Sequence, residues 1–75
     1  MEGQVLKVLQ EEYPEIDFTV SDTLVEDGVL DSLTITEIIG ALSLEFEIQI
    51  PYEEIKEENF NSVSAMAGLV SRLQK

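Results

Sequence analysis

Apolar residues recur along this chain mostly at helical spacing. Val5, Val8, Leu9 and Tyr13, with Leu6 beside them, mark a first helix that Pro14 ends, because proline's ring disfavours helical geometry in the residue before it. Ile35, Ile38, Ile39, Leu42 and Phe46 follow the i, i+3, i+4 rule and predict a second helix from Ser32 to Phe46, its stripe centred near Ile35, Leu42 and Phe46. Pro51 ahead of Tyr52-Glu53-Glu54-Ile55 suits a helix N-terminus and predicts a short third helix near residues 52 to 58. Val63, Met66, Ala67, Val70 and Leu73 predict a last helix, capped by Asn61 or Ser62, with Arg72 and Lys75 at its C-terminal end. The polar connection from Pro14 to Asp31 contains Ile16, Phe18, Val20, Leu24, Val29 and Leu30, which are expected to fold back onto the core; so long a loop in a small domain is often functional.

The fold class is therefore all-α: one domain over residues 1–75, a small four-helix bundle of three main helices and a short third, with a long loop between helices 1 and 2. Period-two alternation over Ile16–Val20 and Phe46–Ile50 supports a secondary reading in which these stretches pair as strands. An isolated two-stranded ribbon is only marginally stable.

On the side of the second helix away from its stripe lie Leu33, Glu37, Gly40 and Leu44, with Thr36 at the edge. Two readings of the leucines stay open. They are scattered surface residues of the ordinary kind, or they form a docking face on which nearby carboxylates (Asp31, Glu37, Glu45, Glu47) steer a basic partner. Gly40 is equally two-sided: glycine inside a helix costs about 1 kcal/mol against alanine, and it is either neutral drift or room for the close approach of a partner backbone or carried group.

Charge narrows the partners. Sixteen acidic residues stand against four basic ones, a net charge of −12. This balance repels nucleic-acid phosphates and anionic membranes, so the expected partners are basic protein surfaces. With 44% hydrophobic residues the chain can fold, but like charge makes its stability modest and salt-sensitive. Cysteine and histidine are both absent, which removes disulfides, thiol nucleophiles and the usual general base. The Met-Glu-Gly opening has neither a signal-peptide pattern nor a myristoylation glycine, and the expectation is a free-standing, monomeric, cytoplasmic protein. No metal site is expected: with Gly28 at the sixth position of a calcium loop, Thr23, Val25 and Thr34 fall where oxygen-rich ligands are required. Glu26, Asp27 and Asp31 remain as a cluster for weak divalent binding.

Ser32, in Asp27-Gly28-Val29-Leu30-Asp31-Ser32-Leu33, stands where the loop meets the second helix. A serine there is commonly an N-cap. The alternative is that Thr34-Ile35-Thr36-Glu37 acts as a capping box, starts the helix two residues later and leaves Ser32 free. Nothing near it in sequence would activate it as a nucleophile. A serine modified by another enzyme remains, and a phosphodiester on it would sit at a helix N-terminus that favours negative charge.

Asp31-Ser32-Leu33 at the head of an amphipathic helix resembles the phosphopantetheine-attachment motif of acyl carrier proteins. Leu24-Val25-Glu26-Asp27 upstream, Leu42 and Phe46 down the helix, Ile50-Pro51-x-Glu53-Glu54 after it, and Asn59-Phe60-x-Ser62-Val63 resemble the same family at similar spacing, over nearly the whole chain. The resemblance implies a carrier, not an enzyme. A phosphopantetheinyl transferase places 4′-phosphopantetheine from coenzyme A on Ser32, an acyl-loading ligase or transferase charges the arm's thiol, and synthase enzymes with basic docking surfaces meet the thioester. The implied docking residues are Asp31, Leu33, Thr36, Glu37, Gly40 and Leu44, and the implied acyl-pocket residues Ile38, Leu42, Ile50 and Ile55, each of which serves equally well as ordinary core. The implied function is carriage of acyl intermediates in fatty-acid, polyketide or specialised lipid biosynthesis. Ser43, Leu44 and Gly40 depart from the fatty-acid pattern and put housekeeping fatty-acid synthesis in question. Glu57-Glu58-Asn59-Phe60 resembles carriers of specialised pathways, including free-standing aminoacyl carriers, so an aminoacyl or peptidyl carrier is the alternative, and an acidic helical adaptor with no cofactor is the reading from a different class.

Overall fold

The computed structural model describes residues 1–74. Four α-helices follow in order: α1 (Glu2–Glu12), α2 (Ser32–Phe46), α3 (Glu57–Phe60) and α4 (Val63–Leu73), with a single 3-10 turn at Tyr52–Glu54 ahead of α3. Helix α1 packs against both α2 and α4, and α3 packs on α4.

Each boundary has a local cause. Tyr13 leaves helical geometry just before Pro14 while its amide still donates to the Leu9 carbonyl at 2.8 Å. At the other end of the long connection, Asp31 adopts extended backbone and its carboxylate accepts from the Thr34 amide at 2.8 Å, capping α2. Helix α2 stops at Glu47, which takes the left-handed conformation (φ 53°) and returns its amide to Ser43. Ser62 caps α4 by accepting from the Ala65 amide at 3.0 Å, so of the two expected caps Ser62 holds the position.

The expected α2 boundaries hold, but the core stripe is centred on Ile38 and Leu42, both wholly buried. Ile35 and Phe46 are only partly buried because each end of the stripe borders an open groove: Ile35 faces one beside Ser32, and Phe46 faces one shared with Lys7, Val8 and Glu11 of α1. Val5 and Leu9 of α1, and Met66, Ala67, Leu69 and Val70 of α4, complete the centre. Of these, Leu69 lies outside the expected i, i+3, i+4 set; it is buried because α4 is packed on more than one side.

The connection folds back as expected for Phe18, Leu24 and Leu30, which are buried. Val20 does not; it is 61% exposed. Asp17 accepts from both the amide and the hydroxyl of Thr19, and the Val20 amide reaches the Asp17 carbonyl, so the chain turns here and Val20 points outward. That turn also prevents the Ile16–Val20 strand, while α2 continues through Phe46 and consumes the start of the other; among the described residues there is no strand.

The expected helix over 52–58 is broken in two. After the 3-10 turn, Ile55 (φ −85°, ψ 81°) sits in a tight turn in which the Lys56 amide donates to the Glu54 carbonyl at 3.0 Å, Lys56 (φ −136°, ψ 155°) is extended, and α3 starts only at Glu57. The break leaves the Glu54 carbonyl without a helical partner, and the Asn59 side-chain amide donates to it at 2.7 Å. Asn59 also donates to the Glu54 carboxylate, which in turn pairs with Arg72 of α4 at 3.2 Å. Arg72 thus serves the 52–56 segment as well as the last turn of α4. The expected position of Lys75 falls outside the described residues.

Candidate functional site

The head of α2 shows which residue caps it. Asp31, not Ser32, is the cap, and Ser32 is the first helical residue. The capping box does not form: the Thr34 amide donates to Asp31, and Glu37 is engaged elsewhere. Hydrogen bonds from Thr34, its backbone amide first, hold the Asp31 carboxyl below the usual carboxylate range. The Thr36 hydroxyl donates to the Ser32 carbonyl at 2.9 Å, which pins the first turn. Ser32 is exposed, and among the described residues its hydroxyl has no hydrogen-bond partner. The leading amides of a helix have no intrahelical acceptor, so a phosphate linked to Ser32 would meet unsatisfied donors and the positive end of the helix dipole.

Beside Ser32 opens a cleft of about 290 Å³. Ile35 and Thr36 of α2, Val25 of the connection, and Ile55, Lys56 and Phe60 are among its lining residues. Of the four expected pocket residues, only Ile55 is there. Ile38 and Leu42 are fully buried core, and Ile50 packs partly buried at the core's edge. Ile35 and Leu42 lie on nearly the same side of α2, so the difference is one of position along the axis: Ile35 sits in the first turn beside the cleft, while Ile38 and Leu42 lie further along the helix within the core cluster.

The expected docking positions share one solvent-facing surface. Leu33 is 69% and Leu44 84% exposed, Thr36, Glu37 and Gly40 are exposed, and a methyl group added at Gly40 would meet no other part of the structure within 4 Å. Glu37 is not alone on this face. The Tyr13 hydroxyl, from the end of α1, donates to its carboxylate. Burial first, then that bond and the neighbouring negative charges, push the Tyr13 hydroxyl up to about 12.

The acidic cluster read from sequence does not converge. Asp27 accepts from the hydroxyls of Ser21 and Thr23 at 2.8 and 2.9 Å, and Asp31 is occupied as a cap. Among the described residues no three carboxylates are placed to share a metal ion. No described helix is long and apolar enough to cross a membrane.

Sequence reasoning missed Asn61 as a structural residue. Its side-chain oxygen accepts from the amides of Val25 and Glu26, and its carbonyl accepts from Leu24. This clamps the segment leading to Ser32 onto the junction of α3 and α4. Gly28 (φ 79°) then turns the chain toward Asp31 in a conformation that other residues rarely adopt.

A small acidic bundle that presents one unencumbered serine at a helix head, beside an open cleft, has the architecture of a carrier domain. The family model described as "Phosphopantetheine attachment site" matches residues 3–70, and the chain belongs to that family of phosphopantetheine-bearing carrier proteins, whose prosthetic group is 4′-phosphopantetheine. Among curated proteins it is similar to the D-alanyl carrier protein of Streptococcus sanguinis (strain SK36), 30% identical over 78 residues, covering 99% of this chain and 95% of the relative. It is also similar to the D-alanyl carrier protein of Streptococcus uberis (strain ATCC BAA-854 / 0140J), 42% identical over 59 residues (73% and 75%). A third relative is the D-alanyl carrier protein of Lactobacillus delbrueckii subsp. bulgaricus (strain ATCC BAA-365 / Lb-18), 28% identical over 76 residues (99% and 94%). No solved structure gives a significant match.

Proposed function

We propose that Ser32 bears the 4′-phosphopantetheine arm and that the arm's thiol carries an aminoacyl group as a thioester. The observation that carries this reading is the exposed Ser32 hydroxyl, free of hydrogen-bond partners among the described residues, at the head of a capped helix. In the attachment step Ser32 Oγ attacks the phosphate of coenzyme A nearest pantetheine. An O–P bond forms, the pyrophosphate bond breaks, 3′,5′-ADP leaves and the serine proton is released to solvent.

The relatives, named D-alanyl carrier proteins, support an aminoacyl over a long acyl cargo. The partners of this reading are a phosphopantetheinyl transferase, an aminoacyl-loading ligase and acceptor enzymes, meeting the carrier in the cytoplasm as a monomer. They dock basic surfaces on Asp31, Leu33, Thr36, Glu37, Gly40 and Leu44, where exposed leucines sit among carboxylates of a chain with net charge −12.

Intact mass after incubation with coenzyme A and a broad-specificity transferase tests this. The wild type gains one phosphopantetheine unit and Ser32→Ala gains none. Absence of any gain with a demonstrably active transferase would remove the carrier reading in favour of a cofactor-free adaptor. Loading of the holo protein with D-alanine, other amino acids and fatty acids by the matching ligases then separates aminoacyl from acyl carriage.

A further inference from the structure

Lys56 occupies an unusual electrostatic position. It is one of four basic residues in the chain and is flanked by Glu53, Glu54, Glu57 and Glu58. Yet the ion pair found among the described residues is Arg72–Glu54, and Lys56 takes part in none. Its backbone is extended, at the break between the 3-10 turn and α3. At this break Lys56, itself exposed, lines the same cleft as Ser32.

A phosphodiester on Ser32 would favour a cation in this cleft. An arm on Ser32 introduces a phosphodiester with a full negative charge next to the Asp31 carboxylate, on a protein already at −12, and Glu57 lines the same cleft. The helix dipole offers partial compensation, confined to the first turn. An ammonium in a partly enclosed cleft, where solvent screens less than in open water, supplies a full charge. Lys7 lies in the separate groove between α1 and α2, and Arg72 is committed to Glu54.

We propose that Lys56 is the counter-cation of the phosphodiester on Ser32, and that this contact lays the first part of the arm across the cleft, over Ile35 and Ile55. The inference rests on Ser32 as the attachment point, and the experiment separates the two.

The test is lysine labelling by an amine-reactive reagent, read peptide by peptide by mass spectrometry, on apo protein, holo protein and transferase-treated Ser32→Ala. Lys56 is expected to react several-fold more slowly in the holo protein than in the other two, with Lys7 equal in all three. The ³¹P resonance of the holo protein provides a second readout. It is expected to shift in Lys56→Gln, return in Lys56→Arg, and collapse toward the Lys56→Gln value at high salt. Mass gain on the wild type with equal Lys56 labelling and an unmoved ³¹P resonance would overturn the role of Lys56 and leave the carrier reading standing. No mass gain would bring down both.

Discussion

The Tyr13 hydroxyl donates to the Glu37 carboxylate, tying the end of α1 to the outer face of α2. The bond lies on the surface proposed for docking and links it to the bundle beneath, since Tyr13 also meets Phe18 edge-on, with ring centroids 6.5 Å apart.

Tyr13 therefore makes stability pH-dependent at the alkaline end. Its hydroxyl is raised from 10.0 to about 12 by burial and by Glu37, so the folded state holds the proton more tightly than the unfolded chain. The stabilisation is complete below pH 10 and is lost as pH rises from 10 through 12. Urea midpoints of Tyr13→Phe and wild type, compared across that interval, should converge as pH rises, with the variant about 1 kcal/mol less stable at neutral pH. A constant difference across the interval would refute the assignment.

Asn61→Ala removes the acceptor used by the Val25 and Glu26 amides. Leaving such donors unmet costs about 1–3 kcal/mol. The expected loss is about 2 kcal/mol by chemical denaturation, with faster hydrogen exchange at Val25 than at the core amides of α1. Uniformly faster exchange would mean that Asn61 is no local clamp.

Gly40→Ala should stabilise the protein by about 0.5–1 kcal/mol, because the site is helical and a methyl group there meets nothing. If the gain in melting temperature comes with a raised KM for the transferase, the glycine leaves room for a partner. A gain with unchanged KM makes it neutral surface.

Leu44 and Leu42 give opposite expectations on one helix. Leu44→Ala, at 84% exposure, should change stability by less than about 0.5 kcal/mol. As a docking contact its loss should raise the transferase KM by about five- to tenfold, the equivalent of roughly 1 kcal/mol or more. Leu42→Ala, wholly buried, should cost about 2–5 kcal/mol, a large share of the stability of a domain this small. Thermal melts and transferase kinetics on both variants check the division.

Sequence showed most clearly what depends on neighbours along the chain. The α2 boundaries were legible because a strong apolar period begins just after Asp31 and ends at Phe46. So was the exposed position of Leu33, Glu37, Gly40 and Leu44, which follows from helix geometry alone. Local pattern misled where a distant group decided. Thr34 and Glu37 spell a capping box, but Asp31 is nearer to the Thr34 amide and Tyr13 takes Glu37. Pro51 and the glutamates after it spell one short helix, but the chain breaks at Ile55 and Lys56, with Asn59 and Arg72 gathering on Glu54. Ile38 and Leu42, read as either pocket or ordinary core, are wholly buried and are not part of the cleft beside Ser32; which of the two a stripe residue becomes depends on packing at its level of the bundle, which the pattern of one helix does not show.

The Asn61 clamp also bears on when the protein becomes usable. The amides of Val25 and Glu26 find their acceptor 36 and 35 residues later in the chain. Because the ribosome builds proteins from the N-terminus, the segment that leads into Ser32 stays unfastened until residue 61 has been made. Closing so long a loop carries an entropic cost that only contacts formed with the later helices repay. If Ser32 bears the arm as proposed, a nascent fragment that contains Ser32 but not yet Asn61 should be a poor substrate for the transferase.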